Sequence, residues 1–196
     1  MKSTLALLGI LVFCLIFNFD LIAKSDLSWP YVGVPSRVKK LIEDSNKFPT
    51  HTPLKLAISR KDYFSIKYLV EHGVDVNQRS LRKRIPIYSE PTPLDMVIET
   101  RNLHLINYFL EHGANPHLGR AIGSRTKTAV YEAIRMNDTE IISILYKHGA
   151  DLNAACVYYC EGDLDVKLTP LEAAIQFADV TGSTDMIDLL RSLGAK

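Results

Sequence analysis

A four-fold internal repeat constrains this chain of 196 residues more than any other feature of its sequence. The first three copies each run from a threonine to a His-Gly pair 20 residues later, and the fourth reaches Leu193-Gly194 after 24 residues. The copies begin at Thr52, Thr92, Thr128 and Thr169. A unit that recurs in this way predicts a stack of similar modules, because one module alone cannot bury its apolar face.

The residues within each copy predict two helices. Threonine is a favoured N-cap, and the proline that follows it in three copies suits the first helical turn. In the first copy, Leu54, Ala57 and Ile58 have helical spacing, and Ile66 and Leu69 continue it in a second segment. Each copy ends at a glycine, which is typical of the left-handed residue after a helix. These glycines are Gly73, Gly113, Gly149 and Gly194.

Thr52-Pro53-Leu54-x-x-Ala57 and Leu145-x-x-x-Gly149-Ala150-Asp151-x-Asn153 resemble the two halves of the ankyrin repeat. The resemblance extends over residues 52–196. It implies an all-α solenoid of paired helices with hairpin finger loops, in a protein that binds other proteins and is not an enzyme. We also expect residues 26–51 to form an N-terminal arm and a capping helix that starts near Ser36.

The copies depart from the family pattern at two positions. The fourth motif residue, usually histidine, is Lys55, Asp95, Tyr131 or Glu172. The glycine that ends the first helix is replaced by Lys61, Arg101 and Asn137 in the first three copies. Of these three residues only asparagine tolerates a left-handed backbone well, so we expect modest intrinsic stability.

The repeats are longer than the family's unit of about 33 residues. The threonines are spaced 40, 36 and 41 residues apart, and the surplus lies between helix pairs in finger 1 (78–91), finger 2 (116–127) and finger 3 (154–168). Long loops of repeat proteins often form the binding face. Candidate partner-binding residues are Arg79, Arg82, Lys83, Arg84, Tyr88, Arg120, Arg125, Tyr158 and Tyr159 on the fingers, and Arg101 at the end of a first helix.

The charge pattern predicts the kind of partner. Residues 52–127 carry 12 Lys and Arg against 7 Asp and Glu, and residues 128–196 carry 5 against 11. Basic fingers 1 and 2 would face an acidic surface, and Tyr158 and Tyr159 at the tip of finger 3 would be an anchor, since Arg and Tyr often dominate interface energy. The alternative is that the basic run is a solvated loop and the tyrosines cover the solenoid edge.

The N-terminus predicts export. Lys2 is followed by an apolar run, residues 5–17, which is too short to span a bilayer and suits the core of a signal peptide over residues 1–25. Cleavage is expected after Ser25 or after Ala23. An uncleaved anchor and a lipoprotein acylated at Cys14 are the alternatives. We therefore expect a periplasmic or secreted protein without stable membrane insertion.

Cysteine use fits an oxidising compartment, because Cys156 and Cys160 remain after the signal is removed. A disulfide between them is possible if the segment is a hairpin or loop, and two free thiols are the alternative.

The sequence offers no catalytic constellation, and it indicates neither a cofactor nor a metal. Three of the six histidines share one repeat position, which repetition explains better than a metal site does. The acidic half and the export signal argue against nucleic acid. Exported bacterial proteins that resemble ankyrins include immunity proteins against secreted toxins such as lipase effectors, so binding and inhibition of one such partner is the leading hypothesis. A scaffold for a resident envelope enzyme is the alternative.

Overall fold

The computed structural model describes residues 33–47, 52–78, 91–122, 125–161 and 164–196, with the backbone alone at 120–122, 125–126, 158–161, 164–166 and 181. The chain divides into two units, residues 1–39 and 40–196. The described part of the first unit, residues 33–39, contains the start of helix α1 (Ser36–Asn46). The predicted signal peptide lies outside the described residues. Within the described ranges, no helix combines the length and the apolar character that crossing a bilayer requires.

The second unit is built from pairs of antiparallel helices. The pairs are α2 (Pro53–Ser59) with α3 (Tyr63–Glu71), α4 (Pro93–Glu99) with α5 (Leu103–Glu111), α6 (Ala129–Arg135) with α7 (Thr139–Lys147), and α8 (Pro170–Thr181) with α9 (Asp185–Ser192). The first helices α2, α4, α6 and α8 pack in that order, and α5, α7 and α9 pack alongside them. This arrangement confirms the predicted solenoid of paired helices.

Small side chains let the first helices approach one another. Ala57, Val97, Ala133 and Ala174 occupy equivalent positions and are all buried. Larger apolar residues on the second helices fill the space between layers, with Ile66, Ile106 and Ile142 buried at equivalent positions. The core is therefore continuous from repeat to repeat, as stacked modules require.

The threonine caps are confirmed in all four repeats. Each threonine hydroxyl accepts the backbone N–H three residues later, at Lys55, Asp95, Tyr131 and Glu172. At two of the positions where the family has histidine, the carboxylates of Asp95 and Glu172 accept a hydrogen bond from the threonine N–H and complete a capping box. The residues that replace histidine there stabilise their own helix start.

Fingers 2 and 3 are hairpins, as predicted, and their strands also join in one sheet, which the sequence did not predict. The strands are β1 (Arg120–Ile122), β2 (Arg125–Lys127), β3 (Val157–Glu161) and β4 (Leu164–Leu168). Each finger is an antiparallel hairpin, and β2 pairs with β3, so the sheet order is β1-β2-β3-β4. We call this the finger sheet. Residues 79–90 of finger 1 lie outside the described residues.

Candidate partner-binding surface

The base of the finger sheet is tied to the helices by backbone hydrogen bonds. The Thr128 N–H donates to the Cys156 carbonyl over 2.9 Å, and the Cys156 N–H donates to the Leu168 carbonyl over 2.8 Å. Cys156 and Val157 are buried there, whereas Lys167 is exposed. Because Thr128 also caps α6, the sheet starts at a rigid point of the repeat stack.

The register of the sheet places four predicted residues together. Arg120 lies opposite Lys127, and Arg125 lies opposite Ile122. Tyr158 lies between Thr126 on β2 and Lys167 on β4, and Tyr159 lies opposite Val166. The prediction that the tyrosines form the tip of finger 3 is wrong, because both belong to β3, which continues to Glu161. Pairing with β2 also brings the arginine-bearing strand beside the tyrosine-bearing one.

Of the two alternatives for Cys156 and Cys160, the disulfide is not formed, and Cys156 is a buried free thiol. The physical reason is the strand. Cys160 belongs to β3 and Cys156 directly precedes it, so four residues of extended chain separate their Cα atoms by about 13 Å. A disulfide needs a Cα separation below about 7 Å. Burial raises the pKa of the Cys156 thiol to about 12, which keeps it protonated at neutral pH.

The remaining predicted residues divide into two groups. Arg79, Arg82, Lys83, Arg84 and Tyr88 lie outside the described residues. Arg101 is described and links two repeats. Its guanidinium donates to the Met136 carbonyl over 3.1 Å and lies 3.7 Å from the carboxylate of Asp138, the N-cap of α7. Arg101 thus stabilises the stack, although 57% of its side chain is exposed.

Basic residues at the ends of the first helices form a row, and nearby acids offset their charge. Arg60 lies 2.9 Å from Asp44, and hydrogen bonds from Arg60 and then Lys47 hold the pKa of Asp44 below its usual value. Arg135 lies 2.6 Å from Glu132, and this hydrogen bond raises the pKa of the Arg135 guanidinium. This row therefore carries less net positive charge than a count of its arginines suggests, and the finger sheet is the stronger candidate surface.

An aromatic cluster that the sequence did not reveal supports the end of finger 2. The Lys127 ammonium lies 5.0 Å from the centroid of the Tyr131 ring, a cation–π contact, and the Tyr131 ring lies 5.9 Å from that of Phe177 in α8. The contact fixes the point where β2 enters α6. A helix repeat pattern contains no signal for it, because the three residues come from a strand and two different helices.

Asparagines at the starts of the turns also connect repeats, a role that sequence reasoning missed. The Asn77 amide donates to the Gly113 carbonyl over 2.9 Å and accepts the Asn115 N–H over 2.8 Å. Asn153 accepts the Lys196 N–H over 2.8 Å. The side chain therefore supplies a bridge at equivalent places in two repeats. The sequence signal for this role was an asparagine that recurs four residues after the glycine at the end of a repeat, after Gly73 and after Gly149.

The recurrent histidines act within the stack. The Nδ1 atoms of His72 and His112 lie 2.7 Å from the carbonyl oxygens of Tyr68 and Tyr108, one turn earlier. A carbonyl only accepts, so these nitrogens carry protons. His148 instead contacts Asn107 of the preceding repeat over 2.9 Å. All three contacts are structural.

The described residues offer little to a small ligand. The cleft between α6 and α8, lined by Ile134, Arg135, Asn137, Ala174 and Phe177 among others, has a volume of about 20 Å³. That holds a water molecule, whereas ligand pockets measure about 300–1,000 Å³. Within the described ranges, no group of three or more His, Cys, Asp or Glu side chains is placed to hold a metal ion.

Paired helices, capped first turns and a sheet of fingers define a helical-repeat protein that presents an extended surface. Two segments of the chain, residues 51–81 and 127–157, match the family model described as ankyrin repeat. Proteins built from such repeats generally mediate protein–protein interaction.

Among solved structures, the ankyrin repeat domain of Bcl-3, described as a unique member of the IkappaB protein family, is similar to this chain. The TM-score is 0.50 and the sequence identity 23%, over 72% of this chain and 52% of that one. The chain thus spans about half the length of that structure. A sequence identity this low is evidence for a similar fold only. No curated protein matches the sequence.

Proposed function

We propose that this protein is exported to the periplasm and there binds and inhibits one specific protein, in the manner of an immunity protein that neutralises a secreted toxin such as a lipase effector. The observation that carries the binding proposal is the finger sheet. Two oversized fingers form one continuous four-stranded surface that is anchored at Thr128 and Cys156. A surface held in this way loses little conformational entropy when a partner binds.

The chemistry of the surface favours a protein partner with an acidic region. The sheet joins the basic strands β1 and β2, with Arg120, Arg125 and Lys127, to strands β3 and β4, which contain Tyr158 and Tyr159. Finger 1 adds Arg79, Arg82, Lys83 and Arg84 in the sequence. Complementary charge of this kind accelerates association and rejects wrong partners.

The binding proposal is tested by capturing the partner from native envelope extract on the immobilised protein and then measuring the affinity by calorimetry. Reversing Arg82, Lys83 and Arg84 to Glu should weaken binding by about tenfold or more. The matched control reverses three exposed cations on the second helices, Lys67, Lys147 and Arg191, and should leave the affinity unchanged. Equal effects of the two triple variants would remove finger 1 from the proposed interface.

Inhibition and export have their own readouts. The catalytic activity of the captured partner should fall when this protein is added in equal amount, whereas unchanged activity with stable binding would favour the scaffold role. Protein recovered from the periplasm should begin at Lys24 or Asp26. A chain that retains Met1 in the cytoplasm would contradict export.

A further inference from the structure

The outer strand of the finger sheet has an open edge. Within the described residues, β4 pairs with β3 on one side only. The Leu168 carbonyl faces β3, because it accepts the Cys156 N–H. Backbone groups of successive residues in a strand point to opposite sides, so those of Val166 and Leu164 also face β3. The backbone groups of Asp165 and Lys167 therefore face away from the sheet.

The sequence of β4, Leu164-Asp165-Val166-Lys167-Leu168, is complementary to itself in reverse. If two copies of β4 pair antiparallel about Val166, Asp165 of each copy lies opposite Lys167 of the other, and Leu164 lies opposite Leu168. Moving the centre to Asp165 or Lys167 places like charges opposite each other. Directly opposed unlike charges stabilise a strand pair, and like charges destabilise it.

We infer that a second copy of this chain is the occupant of this edge: two β4 strands pair antiparallel about Val166, and the two finger sheets join into one sheet of eight strands around a two-fold axis. The register brings together the backbone groups of Asp165 and Lys167, which face outward in each copy. An interface with two-fold symmetry needs such a self-complementary surface.

A strand pair of five residues makes a small interface, so we expect association that depends on protein concentration.

The dimer does not depend on the proposed function, and its test needs no partner. Sedimentation velocity of the purified protein from about 1 µM to about 1 mM should show the mass rising from monomer toward dimer. Lys167→Asp and Asp165→Lys should each remain monomeric, because each puts like charges opposite one another. An equimolar mixture of the two variants should dimerise again, since both cross-strand pairs then have opposite charge.

Lys147→Asp, an exposed reversal on α7, is the matched control and should associate like the unmodified protein. Circular dichroism of every variant should show the same helical content. Monomers at all concentrations, or single variants that dimerise as well as the unmodified protein, would overturn the inference. The first of these results would mean that Asp165 and Lys167 instead protect the edge against pairing.

A cross-link gives a readout that does not depend on charge. Opposed residues at a non-hydrogen-bonded position have Cα atoms about 4.5 Å apart, within disulfide range. Val166→Cys in a Cys160→Ser background should therefore form a disulfide-linked dimer when diamide takes up the two electrons and two protons released. Tyr146→Cys in the same background, exposed on α7, should stay monomeric. Equal cross-linking of the two variants would count against the two-fold axis at Val166.

Discussion

Three residues with side chains end first helices in the left-handed conformation, with φ of 53° at Lys61, 57° at Arg101 and 51° at Asn137. This conformation places Cβ too close to the carbonyl and costs about 1–2 kcal/mol for most residues, less for asparagine. At Arg101 and Asn137 the side chains reach the next repeat, toward Met136 and Ser183. At Arg101 and Asn137, the residue with a strained left-handed backbone is therefore also one whose side chain contacts the next repeat.

Lys61→Gly should raise the free energy of unfolding by about 0.5–1 kcal/mol. Glycine relieves the left-handed strain, and the greater entropy of its unfolded chain offsets part of the gain. Urea denaturation measures the change. Lys61→Ala is the control, because it keeps Cβ and should not stabilise; an equal gain in both variants would show that the lysine side chain, not the backbone, was unfavourable.

Cys156 should be inert in the native protein. Its thiol is buried and burial raises its pKa to about 12, so almost no thiolate is present at pH 8. In a Cys160→Ser background, a maleimide should label Cys156 only after the protein is unfolded in urea. Rapid labelling of the folded chain would contradict the described burial at the base of the sheet.

At the scale of elements, hydrogen bonds from side chains link one repeat to the next. Asn77 makes two such bonds and Asn153 makes one. Asn77→Ala should lower the free energy of unfolding by about 1–2 kcal/mol, and Asn153→Ala by roughly half as much, because a solvent-accessible hydrogen bond contributes about 0.5–1.5 kcal/mol. Denaturation midpoints measure both changes. An Asn77→Ala variant with an unchanged free energy of unfolding would show that the Asn77 hydrogen bonds do not stabilise the stack.

The capping box of α8 predicts how stability depends on pH. Hydrogen bonds from the Thr169 N–H and then its hydroxyl hold the pKa of Glu172 below 4.5. A lowered folded pKa gives stability that is present above about pH 4.5 and is lost as the pH falls through the folded value. Glu172→Gln keeps an acceptor for the cap, so it should narrow the difference in thermal midpoint between pH 7 and pH 3. If the thermal midpoint differs between pH 7 and pH 3 by the same amount in Glu172→Gln and in the unmodified protein, Glu172 does not contribute to the pH dependence of stability.

Helix boundaries were predictable from the sequence because their signals are local. Thr52 and Thr92 cap, and Gly73 and Gly113 end helices, through contacts within a few residues. The finger sheet was not predictable in this way. Thr126 pairs with Tyr158 across 32 positions, and that pairing depends on how two repeats stack. The choice between a disulfide and two free thiols was left open for the same reason, since a loop and a strand place Cys156 and Cys160 at different separations.

At the scale of the whole molecule, each repeat contributes one helix pair to the stack, and the surplus sequence of two repeats joins in a single sheet. The stack supplies rigidity, and the sheet supplies a surface that no single repeat contains. Candidate residues Arg120 and Tyr158 were found from composition, because Arg and Tyr in long loops are unusual without a partner. Their proximity required the β2–β3 pairing.

The most direct test of partner binding by the fingers is hydrogen–deuterium exchange of this protein alone and bound to its captured partner. If the fingers bind the partner, exchange should slow in residues 78–91, 116–127 and 154–168 and stay unchanged in α3, α5 and α7. Slower exchange confined to the second helices, with the fingers unaffected, would contradict binding by the fingers.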